Sequence, residues 1–385
     1  MNPLKRPHKK VRTGCTQCKQ RRIKCDESKP LCHHCQRSKA RCSFSVFAYS
    51  AKEASLPIIS AVAISSEHQD PLYGSVNGCS LSLCDLELMH HFTVSTSQTV
   101  GSNGELQRTM QEVVPRLALS EPYLMHAVLA LSALHLDCMR PLSSRHYWLP
   151  ALQHYSNAIP AFRTSLQLVT EKNCHALFAF AHLITKSSFA ILACTQAPIF
   201  SPESEITADF ISHLQGGFSV YDTAFEWLAS GPLKDCLEAP VDADQSFESY
   251  PHDAKLARLL PHLNSGNEEC DIACREALND LRRVFAMISA PNQTISTKTL
   301  VYCWLARLSS RFIVLMNKQN PEALIVLAHY SVMLNLIDEY WFMKGWGIRL
   351  LEQCQSKLCG PQLELISWPL EVLGLQPSGV VQVLT

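Results

Sequence analysis

The chain has 385 residues, of which 47% are hydrophobic and 18% charged, and its 34 basic side chains balance its 34 acidic ones. The length allows a sizeable core in one large or two modest domains, and the neutral balance excludes a uniformly basic chain. The charge is nevertheless divided, because residues 1–42 carry a net +11 and the rest of the chain a net −11. We therefore expect a cationic head that suits a polyanion, joined to an anionic body.

The basic N-terminal tail, residues 1–14, reads MNPLKRPHKKVRTG and has neither an apolar run nor a small-residue cleavage site. It does not look like a secretory signal, so we expect a reducing compartment. There, clustered cysteines bind metal or do redox work more often than they form disulfides. The run KRPHKKVR is typical of a nuclear-import signal or of an additional contact to phosphate.

Six of the seventeen cysteines follow the tail with the spacing C-x2-C-x6-C-x6-C-x2-C-x6-C. This is one C-x2-C-x6-C unit written twice, which predicts approximate two-fold symmetry. Zinc takes four tetrahedral ligands, and the two cysteines of a C-x2-C turn can bind one ion together. Six thiolates fill two such sites only if two thiolates are shared, and His33 and His34 are then not needed as ligands. The candidate zinc ligands are Cys15, Cys18, Cys25, Cys32, Cys35 and Cys42.

This segment resembles the fungal binuclear zinc cluster of DNA-binding transcription regulators, and CKQRRIKCDESKPLCHHC is close to that family's basic first half and proline loop. The resemblance covers about residues 12–42. It implies a small domain over residues 15–42, with two short helices around two Zn²⁺ ions per chain. It also implies two bridging ligands, Cys15 and Cys32. One zinc would be bound by Cys15, Cys18, Cys25 and Cys32, and the other by Cys32, Cys35, Cys42 and Cys15.

The basic residues around the first half are candidates for DNA contacts. We expect a short helix over about residues 16–24, docked in the major groove as in related zinc-cluster modules. In the resembled family a basic residue four places after the second cysteine reads a CGG triplet, which implies Arg22 here, with Arg21 beside it. The family usually has lysine there, whereas arginine can pair bidentately with guanine O6 and N7. Arg12, Lys19 and Lys24 are expected to contact phosphates.

Residues 43–83 form a predicted flexible linker, since they are rich in Ser, Ala and Pro, poor in charge and without a regular apolar period. Pro57, Pro71 and Gly74 interrupt any run of three heptads, so a coiled coil for dimerisation is not expected here. If the protein forms a homodimer, we expect the later domain to provide the contact.

Residues 84–385 have helical periodicities and no strong strand alternation, which predicts an all-α body. YLMHAVLALSALHL, residues 123–136, and CHALFAFAHLITKSSFAILA, residues 174–193, are apolar almost all round, as buried helices are. Polar residues inside the second stretch argue against a membrane span. Further helices are predicted over residues 277–288, from a start at Thr297 or Thr299 continuously through 300–316, and over 322–343 after a cap at Asn320 and Pro321.

Four stretches of the body, LELMHHFTVSTSQTV, PYLMHAVLALSALHL, HYSNAIPAFRTSL and NCHALFAFAHLI, carry a second resemblance. They are similar to the regulatory domain of fungal zinc-cluster factors of the sterol-uptake-regulator type, over about residues 85–375. The domain also resembles regulators of secondary-metabolite gene clusters. In some members it senses a sterol, but no pocket-lining motif is legible here, so we expect the apolar stripes to be ordinary core.

The sequence has no G-x-x-x-x-G-K-[ST], G-x-G-x-x-G, H-E-x-x-H or G-x-S-x-G motif, so we do not expect an enzyme. The favoured function is a nuclear, sequence-specific regulator of RNA polymerase II genes, with activation and repression both open. Its head would recognise CGG-type triplets in double-stranded DNA, and its body would serve regulation, dimerisation or contact with co-regulators. The alternative makes the body a receptor for a small apolar ligand, such as a sterol or another lipid.

Overall fold

The structure, a computed structural model, describes residues 18–19, 21, 23–26, 32–38, 82–101, 103–140, 146–195, 199, 205–238, 250–291 and 293–376. The chain divides into two compact units, Met1–Gly78 and Cys79–Thr385, which we call the head and the body. Within the described ranges of the body there are helices and no β-strand. The predicted all-α class of the body is therefore confirmed.

The described part of the head contains helical pieces and one non-helical stretch, residues 23–26. Cys18 and Lys19 are helical, and helix α1 spans His33–Arg37. The Ile23 N–H donates to the Cys18 carbonyl at 3.0 Å, a bond across five residues that is typical of a helix C-terminus. The helix expected over 16–24 therefore ends before Ile23, and Lys24 lies in the non-helical stretch that returns to Cys25. The linker prediction falls on residues outside the described ranges, apart from its last two residues.

The body begins with two helical segments, each interrupted by a π-helical turn. Helix α2, Leu83–His91, continues through a π-helical turn, Phe92–Thr96, into α3, Ser97–Val100. Helix α4, Gly104–Arg108, continues through a second π-helical turn, Thr109–Val113, into α5, Val114–Ala118. The remaining α-helices are α6 Pro122–Met139, α7 Trp148–Ser165, α8 Cys174–Thr195, α9 Glu205–Ser230, α10 Asp253–Ala257, α11 Glu268–Ile288, α12 Thr297–Arg307, α13 Ser310–Asn317, α14 Pro321–Asn335, α15 Trp346–Gln355, α16 Pro361–Leu365 and α17 Ser367–Leu373. Short 3-10 turns are Lys234–Cys236 and Leu260–His262.

Helices α6, α8 and α14 supply the centre of the body, because most of their residues on every side are buried. This agrees with the all-round apolar sequences of the first two. Helix α7 packs on α6, α9 on α8, and α15 on α14. The indole Nε1 of Trp304 donates to the Ala277 carbonyl at 2.9 Å and ties α12 to α11. Burial of aromatic and aliphatic side chains between these layers is the main stabilisation available to such a unit.

Helix α8 is long and apolar enough to cross a membrane, with a mean hydropathy of 1.6 over an 18-residue window. However, 78% of that window is buried inside the body. Helices α12 and α13 pass the same test only as a pair, and they are bent by 91°. We interpret α8 as the core helix that its sequence predicted, since its apolar surface is covered by other helices.

Two predicted helix boundaries are wrong, and side-chain contacts explain both. The helix expected over 300–316 is two helices, because Leu308 is extended and the Ser309 hydroxyl accepts from the Phe312 N–H at 3.2 Å, which caps a new helix. The helix expected to reach residue 343 stops at Asn335. After it, the Asp338 carboxylate accepts from the Gly345 N–H at 2.6 Å and Gly345 has a φ of 76°, so the chain turns before α15.

Candidate metal centre and nucleic-acid interface

Three cysteine sulfurs of the head lie together. The Sγ atoms of Cys18, Cys25 and Cys32 are all within 4.8 Å of one another. The Sγ atoms of Cys18 and Cys32 are 3.7 Å apart. With Cys35, these residues form a buried cluster in which no side chain is more than 4% exposed. Three of the predicted ligands are therefore brought to one point and a fourth lies in the same cluster.

Local structure explains how distant cysteines reach that point. Cys18 sits in a helical turn, and the Ile23 to Cys18 bond reverses the chain so that Cys25 returns beside it. Cys32 directly precedes α1, whose first turn carries Cys35. The second C-x2-C pair, Cys32 and Cys35, therefore spans the start of a helix, whereas Cys15 of the first pair lies outside the described residues.

Two side-chain contacts join the halves of the head. The backbone N–H of His33 donates to Asp26 Oδ2 at 3.1 Å, so the residue after Cys25 caps α1. The His33 Nδ1 also lies 3.8 Å from that carboxylate. On the other side, Arg21 Nη1 donates to Ser38 Oγ at 2.9 Å, and that hydroxyl donates to the His34 carbonyl at 2.8 Å. These contacts fix the first half against α1 and were not foreseen from the sequence.

The donor set fits zinc. Four thiolates about 2.3 Å from a tetrahedral zinc lie about 3.8 Å from one another, close to the observed separation of Cys18 and Cys32. Cysteine thiolates are soft ligands that favour zinc over calcium or magnesium. His33 and His34 are exposed and contribute no ring to the sulfur cluster. Cys15 and Cys42, the remaining predicted ligands, lie outside the described residues.

The basic residues beside this cluster are exposed where the structure describes them, namely at Lys19, Arg21 and Lys24. Arg12 and Arg22 lie outside the described residues. Metal bound by such a compact sulfur cluster can order a short segment of chain. The exposed basic side chains on one half of that segment are then held in position to contact a polyanion.

Two family descriptions match the chain. Residues 13–49 match the Fungal Zn(2)-Cys(6) binuclear cluster domain, and residues 87–216 match the Fungal specific transcription factor domain. The chain therefore contains a fungal Zn(2)-Cys(6) binuclear cluster domain followed by a fungal transcription factor domain. The first match contains the six-cysteine segment, and the second begins in α2 and ends in α9. Zinc binding and DNA binding follow from the first domain, and the family is one of transcription factors, not enzymes.

Curated relatives span both units. The chain is 28% identical over 333 residues to the Zn(2)-C6 fungal-type transcription factor afumD of Aspergillus fumigatus, covering 84% of this chain and 85% of that protein. A Zn(2)-C6 fungal-type transcription factor of Gibberella zeae is 24% identical and covers 99% of this chain and 89% of its own. Sterol uptake control protein 2 of Candida albicans is 23% identical over 72% of this chain, but over 40% of its own length.

The body of this zinc-cluster factor contains a cavity of about 560 Å³ between α8, α9 and α12. The sequence suggested a ligand only through resemblance, and it predicted ordinary core for the apolar stripes. The lining residues on α8 are Phe178, Ala181, His182, Thr185 and Lys186, which recur with helical spacing. A signal was therefore present in the polar residues of that stripe, but the sequence alone does not place α12 opposite them.

Proposed function

We propose that the chain is a nuclear, sequence-specific DNA-binding regulator of RNA polymerase II genes that recognises CGG-type triplets through a two-zinc head. The convergence of Cys18, Cys25 and Cys32 beside exposed basic residues carries this proposal. The division of charge supports it, since residues 1–42 carry a net +11 and favour a polyanion, whereas the rest of the chain carries a net −11 and does not. A metabolic or secondary-metabolite gene cluster is the proposed class of target.

The proposed metal sites share two thiolates. One zinc is bound by Cys15, Cys18, Cys25 and Cys32, and the other by Cys32, Cys35, Cys42 and Cys15. The mutual approach of Cys18, Cys25 and Cys32 supports the first set, because all three belong to it. Cys32 and Cys35, which belong to the second set, are buried in the same cluster.

The proposed DNA contacts divide into two kinds. Arg22 and Arg21 read base edges, whereas Arg12, Lys19 and Lys24 contact phosphates. The exposure of Lys19, Arg21 and Lys24 supports their access to a ligand. The proposed homodimer uses the body, which also provides the surface for co-regulators.

Full-length protein, loaded with zinc, tests this function by fluorescence anisotropy with duplexes that carry single, inverted, everted or direct CGG triplets. We expect two zincs per chain and triplet-dependent affinity that disappears on chelation. Arg22→Ala should weaken CGG binding by about 1–3 kcal/mol more than binding to scrambled DNA. Lys24→Ala should weaken binding to both duplexes similarly and reduce the salt dependence of the affinity.

Lys172→Ala, at an exposed lysine of the body, is the matched control and should change neither affinity. Equal affinity of the unmodified protein for CGG and scrambled DNA at physiological salt would contradict sequence-specific recognition. Equal losses on both duplexes in Arg22→Ala would instead assign Arg22 to a phosphate contact.

The second candidate function is a DNA-binding receptor whose body binds a sterol or another lipid. The cavity between α8, α9 and α12 supports it, since 560 Å³ lies within the usual range of small-molecule sites. The name of one relative, Sterol uptake control protein 2, points to the same class of ligand. Stabilisation of the body's thermal transition by a lipid, with no change in the head's zinc content, would support a receptor, and the absence of any such ligand effect would favour an interaction domain.

A further inference from the structure

The cavity in the body is lined by a buried amine, that of Lys186, for which the described residues provide no acidic partner. Lys186 is 0% exposed, and its Nζ donates to the His182 carbonyl at 2.9 Å. Burial lowers the pKa of this amine well below 10.5, Lys298 lowers it further, and only the Cys236 thiol acts in the opposite direction. Among the described residues no carboxylate forms an ion pair with Lys186. A buried amine of this kind is costly unless a counter-charge is supplied.

A second buried lysine in the same region, Lys298, has a different environment. Lys298 Nζ donates to the Val100 carbonyl at 3.1 Å and lies 4.7 Å from the centre of the Tyr340 ring. Two carboxylates, Glu238 and Glu339, act to raise its pKa against the effect of burial. Lys298 therefore has a structural role between α3 and α12, whereas the fold assigns Lys186 no such role.

The Tyr302 hydroxyl is a second polar group without a partner. Tyr302 lines the same cavity, and its hydroxyl is buried with no hydrogen-bond partner in the described part of the chain. Its ring stacks on Phe189, one turn after Lys186, with the ring centres 5.5 Å apart. This contact places the Tyr302 ring against the part of α8 that carries Lys186, and its hydroxyl is a second donor without a partner among the described residues that line the cavity.

The rest of the lining is suited to an apolar chain. Phe178 lies two turns before Lys186 on α8, about 12 Å along the helix. Leu214 and Phe218 face the cavity from α9. A Cβ at Gly217 would lie 2.8 Å from Ala181 Cβ, so this glycine lets α9 approach α8 closely along one wall.

The carboxylates that line the cavity do not provide the counter-charge that Lys186 would receive from a charged ligand. Both oxygens of Glu238 are used at the start of α12, where they accept from the Ser296 N–H and hydroxyl at 2.7 Å each. Asp222 is exposed, so water screens its charge. Arg307, also exposed, adds a cation to the lining.

We propose that this cavity binds an amphipathic carboxylic acid, with its carboxylate at Lys186 and Tyr302 and its apolar chain along α8 and α9. This inference rests on the second candidate function and names the chemistry of its ligand. A neutral alcohol, a sterol included, can satisfy the Tyr302 hydroxyl but supplies no counter-charge to Lys186. A bound carboxylate supplies that charge and accepts from both groups.

Isothermal titration of the full-length, zinc-loaded protein with dodecanoate and with 1-dodecanol, below micelle formation, tests the site. We expect dodecanoate to bind about ten-fold more tightly than dodecanol, because only the acid forms a charge-assisted hydrogen bond. Lys186→Met should remove this preference and leave dodecanol binding unchanged. Tyr302→Phe should reduce dodecanoate affinity several-fold, and Lys172→Met, at an exposed lysine, should leave it unchanged.

Equal affinity for acid and alcohol, binding of neither probe, or an unchanged preference in Lys186→Met would overturn the proposal. Lys186→Met should melt at or above the temperature of the unmodified protein, because it removes a buried amine that pairs with no carboxylate among the described residues. If that variant does not fold, the unmodified protein still provides a test through the carbon-13 resonance of [1-¹³C]dodecanoate. The bound acid should titrate at lower pH than the free acid, and titration at higher pH would overturn the site.

Binding to a CGG duplex is measured on the same preparations, with and without dodecanoate. Loss of the preference for dodecanoate over dodecanol, together with normal DNA binding, would overturn the cavity proposal alone. Absence of CGG binding with intact acid preference would contradict the function of the head alone. Acid-selective binding without any effect on DNA affinity would support the site, because the proposal concerns ligand binding in the body alone.

Discussion

The buried cluster described in the head consists of four cysteines, whereas the core of the body consists of aliphatic and aromatic side chains from most of its helices. The one large apolar side chain described in the head, Ile23, is 40% exposed. A segment this short cannot bury enough apolar surface to order its backbone, so metal ligation must supply the free energy. The body can fold by apolar burial, and it therefore has room for a cavity with polar groups.

The first prediction concerns the metal on which the folding of the head depends. Cys32→Ala should abolish zinc binding and specific DNA binding, because a structural zinc site contributes about 10–16 kcal/mol to the folding of its module. The thermal transition of the body should not change. Zinc content by atomic absorption, anisotropy with a CGG duplex and calorimetry check these three outcomes.

Cys359→Ala is the matched control, since Cys359 is an exposed cysteine of the body. It should retain both zinc and DNA binding. Retention of specific DNA binding in Cys32→Ala would contradict the shared-thiolate arrangement.

The second prediction perturbs the apolar core and should leave the head intact. Phe180 is 0% exposed and stacks on Phe162, with ring centres 4.2 Å apart. Phe180→Ala should lower the free energy of unfolding of the body by about 3–5 kcal/mol, because it removes a buried ring and leaves a cavity. Denaturant unfolding measures the loss, and zinc content should stay constant. Phe225→Ala, at a 38% exposed position, should cost much less, and similar losses at both positions would contradict the burial argument.

The third prediction concerns the free energy of unfolding of the body at acidic pH, which its buried histidines should lower. Burial lowers the pKa of His213 to about 3 and that of His329 to about 4. Protonation therefore favours the unfolded chain, so stability is complete above about pH 6.5 and is lost as the pH falls towards these values. For His213 the loss at pH 5 should be about 2 kcal/mol.

His213→Leu should remove that part of the acid sensitivity, measured as the difference in free energy of unfolding between pH 7.5 and pH 5. Leucine also replaces a ring whose two nitrogens lack partners in the described structure. His90→Leu, at an exposed histidine, should retain the full difference. An unchanged difference in His213→Leu would show that His213 is not a source of the sensitivity.

The smallest expected effect concerns the contact between the halves of the head. Asp26→Ala removes the carboxylate that accepts from the His33 N–H, which should cost about 1 kcal/mol, as loss of a helix cap does. Competition with a chelator should detect this as weaker zinc retention. Asp26→Asn, which retains an acceptor, should weaken zinc retention less, and Asp235→Ala in the body should leave zinc retention unchanged. Equal zinc retention in Asp26→Ala and the unmodified protein would contradict a role for the cap.

The sequence by itself determined the positions of the six cysteines, the charge of the head and the core helices α6 and α8. These are properties of spacing and periodicity, which local chain geometry translates directly into structure. Only the tertiary structure decided the contacts of Asp26 and Ser38 between the halves, the break at Leu308 and the stop at Asn335. Each depends on a side chain that finds a backbone group or another side chain, and helical periodicity carries no information on that choice.

The same limit applies to the cavity. The sequence contains Lys186 as one of the polar residues that interrupt the apolar stretch 174–193, and Tyr302 within the helical stretch 300–316. Whether a buried amine has a counter-charge depends on which helices face it, and α8 and α12 are far apart in the chain. Packing in three dimensions therefore decided that Lys298 has carboxylates near it, whereas Lys186 faces a cavity.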